Sequence, residues 1–264
     1  TLGQQFLGAA LRTHLRGSRQ EDLYIRPNEG KNAITEKGLQ ALEPYRVKRA
    51  VFLAAGFGHR LMPITLNTPQ PLVRVKGTRM IDTLLDAVVK AGIEEIYIVR
   101  GYLGEQFDQL LYKYPHIHFI ENPIYNESKN ISSAMCARHL LSGAYVLEAD
   151  LVLYNPHLIQ KYQYTSNFLG VPVKSTDDWC FETKHHVVTK LKVGGTDCYQ
   201  MVGISYWNEK DGKKLETDLE TVYNNVPGAI QPNITGTTFP EVPCMGISFE
   251  EAYAYDPDTT IKLL

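Results

Sequence analysis

The chain has 264 residues, 44% hydrophobic and 21% charged, with a formal net charge of −2. This is the composition of one large globular domain, or of one domain with an appendage, and it excludes wholesale disorder and collagen-like repeats. The near-neutral balance argues against a broad basic face for nucleic acid, and no apolar run approaches the roughly 18 residues of a membrane span.

The start of the chain is polar and mixed in charge, without the apolar core of a signal peptide. The four cysteines, Cys136, Cys180, Cys198 and Cys244, are widely spaced with no CxxC pair. Such spacing in a chain of this size fits reduced thiols and a cytoplasmic protein better than a disulfide scaffold or a zinc site. Residues 1–45 differ in texture from the rest and are expected to form an N-terminal extension to a domain over 46–264. Leu7 to Leu15 can form a short amphipathic helix. Gly17 to Asn32 is polar and broken by Pro27, Asn28 and Gly30. Ile34 to Leu42 reads as a helix opened by Thr35 and closed near Pro44.

From Arg46 onward, strands and helices alternate. Strands are expected at Ala50–Ala54, Ile93–Val99, His116–Glu121 and Ala144–Leu147. Helices are expected at Ile81–Ala91, Gly104–Tyr112 and Ser132–Leu141. Strands separated by helices of about ten residues predict an α/β fold with a doubly wound, mostly parallel sheet and right-handed crossovers. After Asp150 the pattern loosens into longer strands at Phe168–Val173, Phe181–Lys192 and Gln200–Trp207, then a helix at Asn208–Tyr223. Residues 224–247 carry four prolines and read as loop.

The densest chemical signal is LAAGFGHRLMPIT over residues 53–65, with TPQPLV at 68–73. A strand feeds a loop with Gly56 and Gly58, where backbone N–H groups can approach an anion closely. Arg60 adds a planar cationic fork suited to phosphate oxygens. A P-loop is excluded, because GxxxxGK[ST] is absent. By itself, a GxG after a strand is equally well a tight turn. The second signal is VLEAD over 146–150, an apolar strand ending in Asp150. A carboxylate there lies at the ligand-binding edge of an open parallel sheet, although a strand-end Asp is also a common turn former. Gly101 and Tyr102 come after the second strand, and Asn130 and Ser132 open the third helix, where a capping role competes with a binding one. The two tryptophans, Trp179 beside Asp178 and Trp207 beside Tyr206, could present aromatic faces and a carboxylate to a quaternary ammonium, or could simply fill the core.

The string from Leu53 to Val73 resembles the signature LAAGxGxRLxPxTxxxPKPLV of nucleotidyltransferases that make NDP-sugars and CDP-alcohols. The resemblance implies a Rossmann-like nucleotidyltransferase fold with a β-rich acceptor-binding portion. Within that group, residues 46–223 resemble the bacterial CTP:phosphocholine cytidylyltransferases. By this resemblance, the expected reaction is Mg2+-dependent transfer of a cytidylyl group from CTP to phosphocholine, releasing pyrophosphate. Ala55, Gly56, Gly58, Arg60, Gly101, Tyr102, Asn130 and Ser132 then fall at nucleotide-binding positions. Asp150 falls at the metal position, and Asp178, Trp179, Tyr206 and Trp207 at acceptor positions. Arg60, Gln70 and Asp150 would form the catalytic set. Ile34 to Leu39 also resembles the last strand-to-helix step of bacterial winged-helix domains, so residues 1–45 could be a remnant of one.

Two features depart from the family pattern. Gln70 stands where the PKP lysine is usual, and loss of one such electrostatic group often costs about 10²–10³ in rate. The Trp-Asp pair that normally comes after the last helix is absent between Asn224 and Gly246, whereas Ser248 to Asp256 again resembles the closing strand. Two alternatives therefore stand beside the leading reading: a sugar-1-phosphate nucleotidyltransferase, and a pseudoenzyme retained for binding nucleotide or phosphocholine. The expected partners are small molecules, and a homo-oligomer is compatible with the sequence.

Overall fold

The computed structural model describes residues 25–28, 31–126, 130–184, 187–225 and 262–263. The expected helix at Leu7–Leu15, the part of the expected 224–247 loop that follows Asn225, and the family-like segment at 248–256 lie outside these residues; residues 224 and 225 end a helix.

The first elements are an antiparallel hairpin, β1 (Ile25–Asn28) with β2 (Lys31–Ile34), and a helix, α1 (Glu36–Leu42). Where breakers led to an expected polar connector, the chain forms two short paired strands, with Pro27 inside β1. The Thr35 hydroxyl accepts a hydrogen bond from the Gly38 N–H at 3.1 Å, so α1 starts where the sequence places it.

The central sheet contains β3 (Arg49–Leu53), β6 (Glu95–Arg100), β7 (Ile117–Glu121), β8 (Ala144–Glu148), β9 (Asn167–Lys184), β10 (Val187–Trp207) and β11 (Lys262–Leu263). A two-stranded ribbon, β4 (Arg74–Val75) with β5 (Thr78–Arg79), stands apart. The order across the sheet is β7-β6-β3-β8-β10-β9-β11. β7, β6, β3 and β8 run parallel, while β10 joins antiparallel to β8. The fold is thus α/β with a mostly parallel, Rossmann-like sheet. β3 is buried on both faces, which explains its unbroken apolar run. Ala50 and Phe52 pack on one side with Ile81, Leu84, Leu85 and Val88 of α2 (Met80–Lys90), whose i, i+3, i+4, i+7 spacing builds one apolar stripe. Val51 and Leu53 pack on the other side with Ile131 and Ala134 of α3 (Asn130–Cys136) and Leu215 and Leu219 of α4 (Glu209–Asn225). Among the described residues no helix is long and apolar enough to cross a membrane.

Three local expectations change. Gly104–Tyr112 forms a 3-10 helix, because its buried residues Gly104, Phe107 and Leu110 recur every three positions, the 3-10 repeat. α3 ends at Cys136 and not near Leu141. There the Arg138 guanidinium turns to Glu220 of α4 at 2.7 Å, and His139 contacts Glu216. The strand expected over Phe181–Lys192 is divided between β9 and β10. These two run as long antiparallel partners with several register breaks, and Cys180 lies opposite both Lys192 and Gln200.

Candidate active site

The strand order reverses between β3 and β8: from β3 the chain goes on to β6 at one flank of the sheet, and from β8 it goes on to β9 at the other. Ligands of open α/β sheets bind at the carboxyl ends of strands beside such a switch. An open cleft of about 600 Å³ lies there. Its walls include Ala55, Gly56, Phe57, Gly58, Arg60 and Gln70 from the β3 side, and Glu148 and Asp150 from the β8 side. Backbone hydrogen bonds tie the loops together: Tyr102 N–H to the Ala55 carbonyl at 3.1 Å, and Ala149 N–H to the Leu53 carbonyl at 3.4 Å.

Gly58 is the hinge of the loop. Its φ is +73°, and a Cβ there would lie 2.7 Å from Gln70 Oε1 and 3.0 Å from Thr65 Cγ2. The fully buried Thr65 donates its hydroxyl to the Gly58 carbonyl at 2.9 Å. Gly56 has open space around the corresponding position. The first glycine therefore keeps the loop surface bare, and the second permits the turn. Gln70 reaches across the cleft and donates its side-chain N–H to Asp150 Oδ2 at 2.8 Å. The carboxylate expected at the metal position and the glutamine found at the expected lysine position are direct partners.

The remaining sequence candidates divide. Asn130 lines the cleft and donates to Glu148 Oε1 at 3.3 Å. Ser132 is turned inward, 1% exposed, and accepts from Asn122 Nδ2 at 2.9 Å; its neighbour Ser133 lines the cleft instead. Gly101 is a packing requirement, since a Cβ there would come within 2.7 Å of the Tyr125 ring. Tyr102 stands behind the cleft wall, bonded through its hydroxyl to the Leu66 carbonyl at 2.9 Å and packed on Phe57. Tyr206 and Trp207, expected at the acceptor, are core residues, 4% and 1% exposed. Trp207 Nε1 donates to Ser205 Oγ at 3.0 Å, while Tyr206 packs edge-on against Tyr145. Burial pushes the Tyr206 phenol up to about 12. Alternation along β10 explains the error: its last residues are covered on both faces, Trp207 in the cluster with Leu215 and Leu219 of α4 and Tyr206 in the cluster that includes Tyr145, Ile159 and α2. Trp179 is half-buried and Asp178 exposed on β9, and neither borders the cleft.

Sequence reasoning missed Glu148, Ser133 and Tyr125. Glu148 was legible as the polar end of the apolar strand β8, two residues before Asp150 in the turn that follows. Gly203, at φ +67°, makes room for it, since a Cβ there would lie 2.5 Å from Glu148 Oε2. Tyr125 carries no sequence signal. For a cation, Asp150 and Glu148 are the acidic residues of the cleft, and no cluster of three or more metal-binding side chains occurs among the described residues. That sparse oxygen set fits Mg2+, which is commonly held by one or two carboxylates together with substrate phosphates and water, and does not fit zinc.

Comparison with known proteins matches this architecture. The Nucleotidyl transferase family profile covers residues 49–169, from the start of β3 into β9. A 2-aminoethylphosphonate cytidylyltransferase from Lancefieldella rimae is 39% identical over 178 residues, 66% of this chain and 72% of that protein. The chain belongs to the nucleotidyl transferase family. It is an enzyme of that class, and the glycine loop lies within the matched region. A choline-phosphate cytidylyltransferase from Haemophilus influenzae is 32% identical over 67% of this chain and 76% of that protein. In three dimensions the nucleotidyltransferase resembles the CTP:phosphocholine cytidylyltransferase of Streptococcus pneumoniae with a TM-score of 0.69, covering 83% of this chain and 89% of that one. At 24% identity this last likeness establishes the fold alone.

Proposed function

We propose that this enzyme transfers the cytidylyl group of CTP to a small amine-bearing phosphonate or phosphate, with 2-aminoethylphosphonate as the favoured acceptor. The observation that carries the reading is the 39% identity to a 2-aminoethylphosphonate cytidylyltransferase, against 32% and 29% to two choline-phosphate enzymes. The fate of the expected aromatic box supports the same choice. With Tyr206 and Trp207 in the core, those two rings are closed to a quaternary ammonium, while the cleft wall carries a carboxylate, Glu148. Glu148 at the cleft wall would attract an ammonium. Phosphocholine is the second reading, supported by the Haemophilus relative.

The chemistry needs no general base, because the attacking phosphonate oxygen is already ionised. That oxygen forms a bond to the α-phosphorus of CTP as the bond from the α-phosphorus to the bridging β-phosphate oxygen breaks. Pyrophosphate carries away the electron pair. Catalysis then consists of alignment and charge stabilisation. The Gly56–Gly58 loop and Arg60 would hold the triphosphate, and Asp150 would hold Mg2+. The ion, when bound, neutralises charge developing on the phosphate oxygens. Phosphorus NMR of CTP, Mg2+ and 2-aminoethylphosphonate with enzyme tests this directly. A new phosphonate–phosphate anhydride signal is expected. Unchanged CTP with both acceptors, or anhydride formed only with sugar 1-phosphates, would overturn the assignment.

A further inference from the structure

We infer that Gln70 is a positioning residue for Asp150, not a weakened substitute for a phosphate-binding lysine. The inference rests on the metal role proposed for Asp150. Its basis is the geometry of one side chain. The Gln70 amide N–H lies 2.8 Å from Asp150 Oδ2, and the acceptor is a carboxylate, so the amide presents its nitrogen there. Its other end is wedged over the loop hinge, with Oε1 2.7 Å and Cβ 2.9 Å from the point where a Gly58 Cβ would sit. Thr65 holds the Gly58 carbonyl through its hydroxyl at 2.9 Å. Gln70 therefore joins the glycine loop from β3 to the carboxylate from β8 across the strand-order switch.

The choice of a neutral amide has a consequence. A lysine at this place would put a positive charge beside Asp150 and compete with a cation for its oxygens. Glutamine fixes one oxygen and leaves the full negative charge on the group. The second oxygen, Oδ1, is then presented in one orientation. Groups that orient a ligating carboxylate typically change metal affinity by about 10–100-fold when removed. Replacement of the lysine thus shifts duties: phosphate charge is met by Arg60 on the cleft wall, and position 70 serves the carboxylate.

The test is Mn2+ binding to the enzyme with saturating CTP, read by electron paramagnetic resonance, in wild type, Gln70→Leu, Gln70→Lys, Asp150→Asn and the Gln70→Leu/Asp150→Asn double variant. CTP affinity in EDTA is measured alongside by calorimetry. Gln70→Leu is expected to weaken Mn2+ by about tenfold, with metal-free CTP affinity changed less than about twofold. Gln70→Lys is expected to weaken Mn2+ as well, and the double variant to bind Mn2+ no worse than Asp150→Asn. A Gln70→Leu enzyme that keeps its Mn2+ affinity, or that loses metal-free CTP binding, would overturn the inference, as would wild type that binds no Mn2+. These readouts do not require turnover. An enzyme that binds Mn2+ through a Gln70-dependent Asp150 but forms no CMP-phosphonate would refute the proposed function and leave this inference intact.

Discussion

Gly58→Ala is the perturbation whose effect the structure fixes most closely. Alanine at φ +73° carries the left-handed penalty of about 1–2 kcal/mol. Its methyl would also overlap Gln70 at 2.7 and 2.9 Å, closer than real Cβ contacts come, so Gln70 must withdraw. Withdrawal breaks the hydrogen bond to the Asp150 carboxylate; bonds to charged groups contribute about 1.5–3 kcal/mol, and the lower half applies to this part-buried pair. The sum is a loss of about 2.5–4 kcal/mol, measured by urea unfolding at constant m-value. Gly56→Ala is the internal control. With open space around it and no positive φ, it should be neutral or slightly stabilising, by up to about 1 kcal/mol through the unfolded chain. In a Gln70→Ala background the Oε1 overlap and the bond to Asp150 are gone while the Cβ contact at 2.9 Å remains, so the penalty of Gly58→Ala should fall by the hydrogen-bond part of about 1.5–2 kcal/mol. Equal stability of the Gly56→Ala and Gly58→Ala enzymes, or strict additivity of Gly58→Ala with Gln70→Ala, would refute this description of the loop.

Asp150→Asn keeps the side-chain shape but removes the charge; turnover should fall by more than about 10² with little change in melting temperature, and a chelator should do the same to wild type. Trp207→Ala should destabilise by about 3–5 kcal/mol as a core truncation, while Tyr206→Phe leaves the acceptor KM unchanged; a selective rise in acceptor KM in the second variant would restore that residue to the acceptor site. Burial holds the phenols of Tyr145 and Tyr206 at about 12. The folded state thus binds these protons more tightly than the unfolded chain, so their contribution is complete below about pH 10 and is lost as pH rises through 12. Denaturant titrations from pH 9 to 12 should show stability falling in that window, and a flat profile would contradict it.

The parts of the fold that read cleanly from sequence are those where one periodicity governs. β3 is buried on both faces and must be apolar throughout, and α2 carries a single stripe, so both appear where expected. Thr35 marks the start of α1 for the same local reason. The misread elements answer to distant partners: α3 is cut short where Arg138 and His139 turn to α4, and β9 and β10 are set by a pairing with register breaks that no local pattern encodes. At the site, the glycines, Arg60, Gln70, Asn130 and Asp150 were visible because motif and strand edge coincide. Glu148 and Tyr125 reach the same cleft from separate segments. Trp207 shows the opposite failure, because aromatic chemistry alone does not distinguish a ligand cage from a core, and only burial decides.

The most direct measurement is pyrophosphate release from CTP and Mg2+ as a function of acceptor, with kcat/KM determined for 2-aminoethylphosphonate, phosphocholine and a sugar 1-phosphate. Release should depend on the amine-bearing acceptors and favour 2-aminoethylphosphonate over phosphocholine by at least about tenfold, the discrimination expected when a site must pair one charged group and fit another. Release with sugar 1-phosphate alone, or none with any acceptor by an enzyme that still binds CTP, would contradict it.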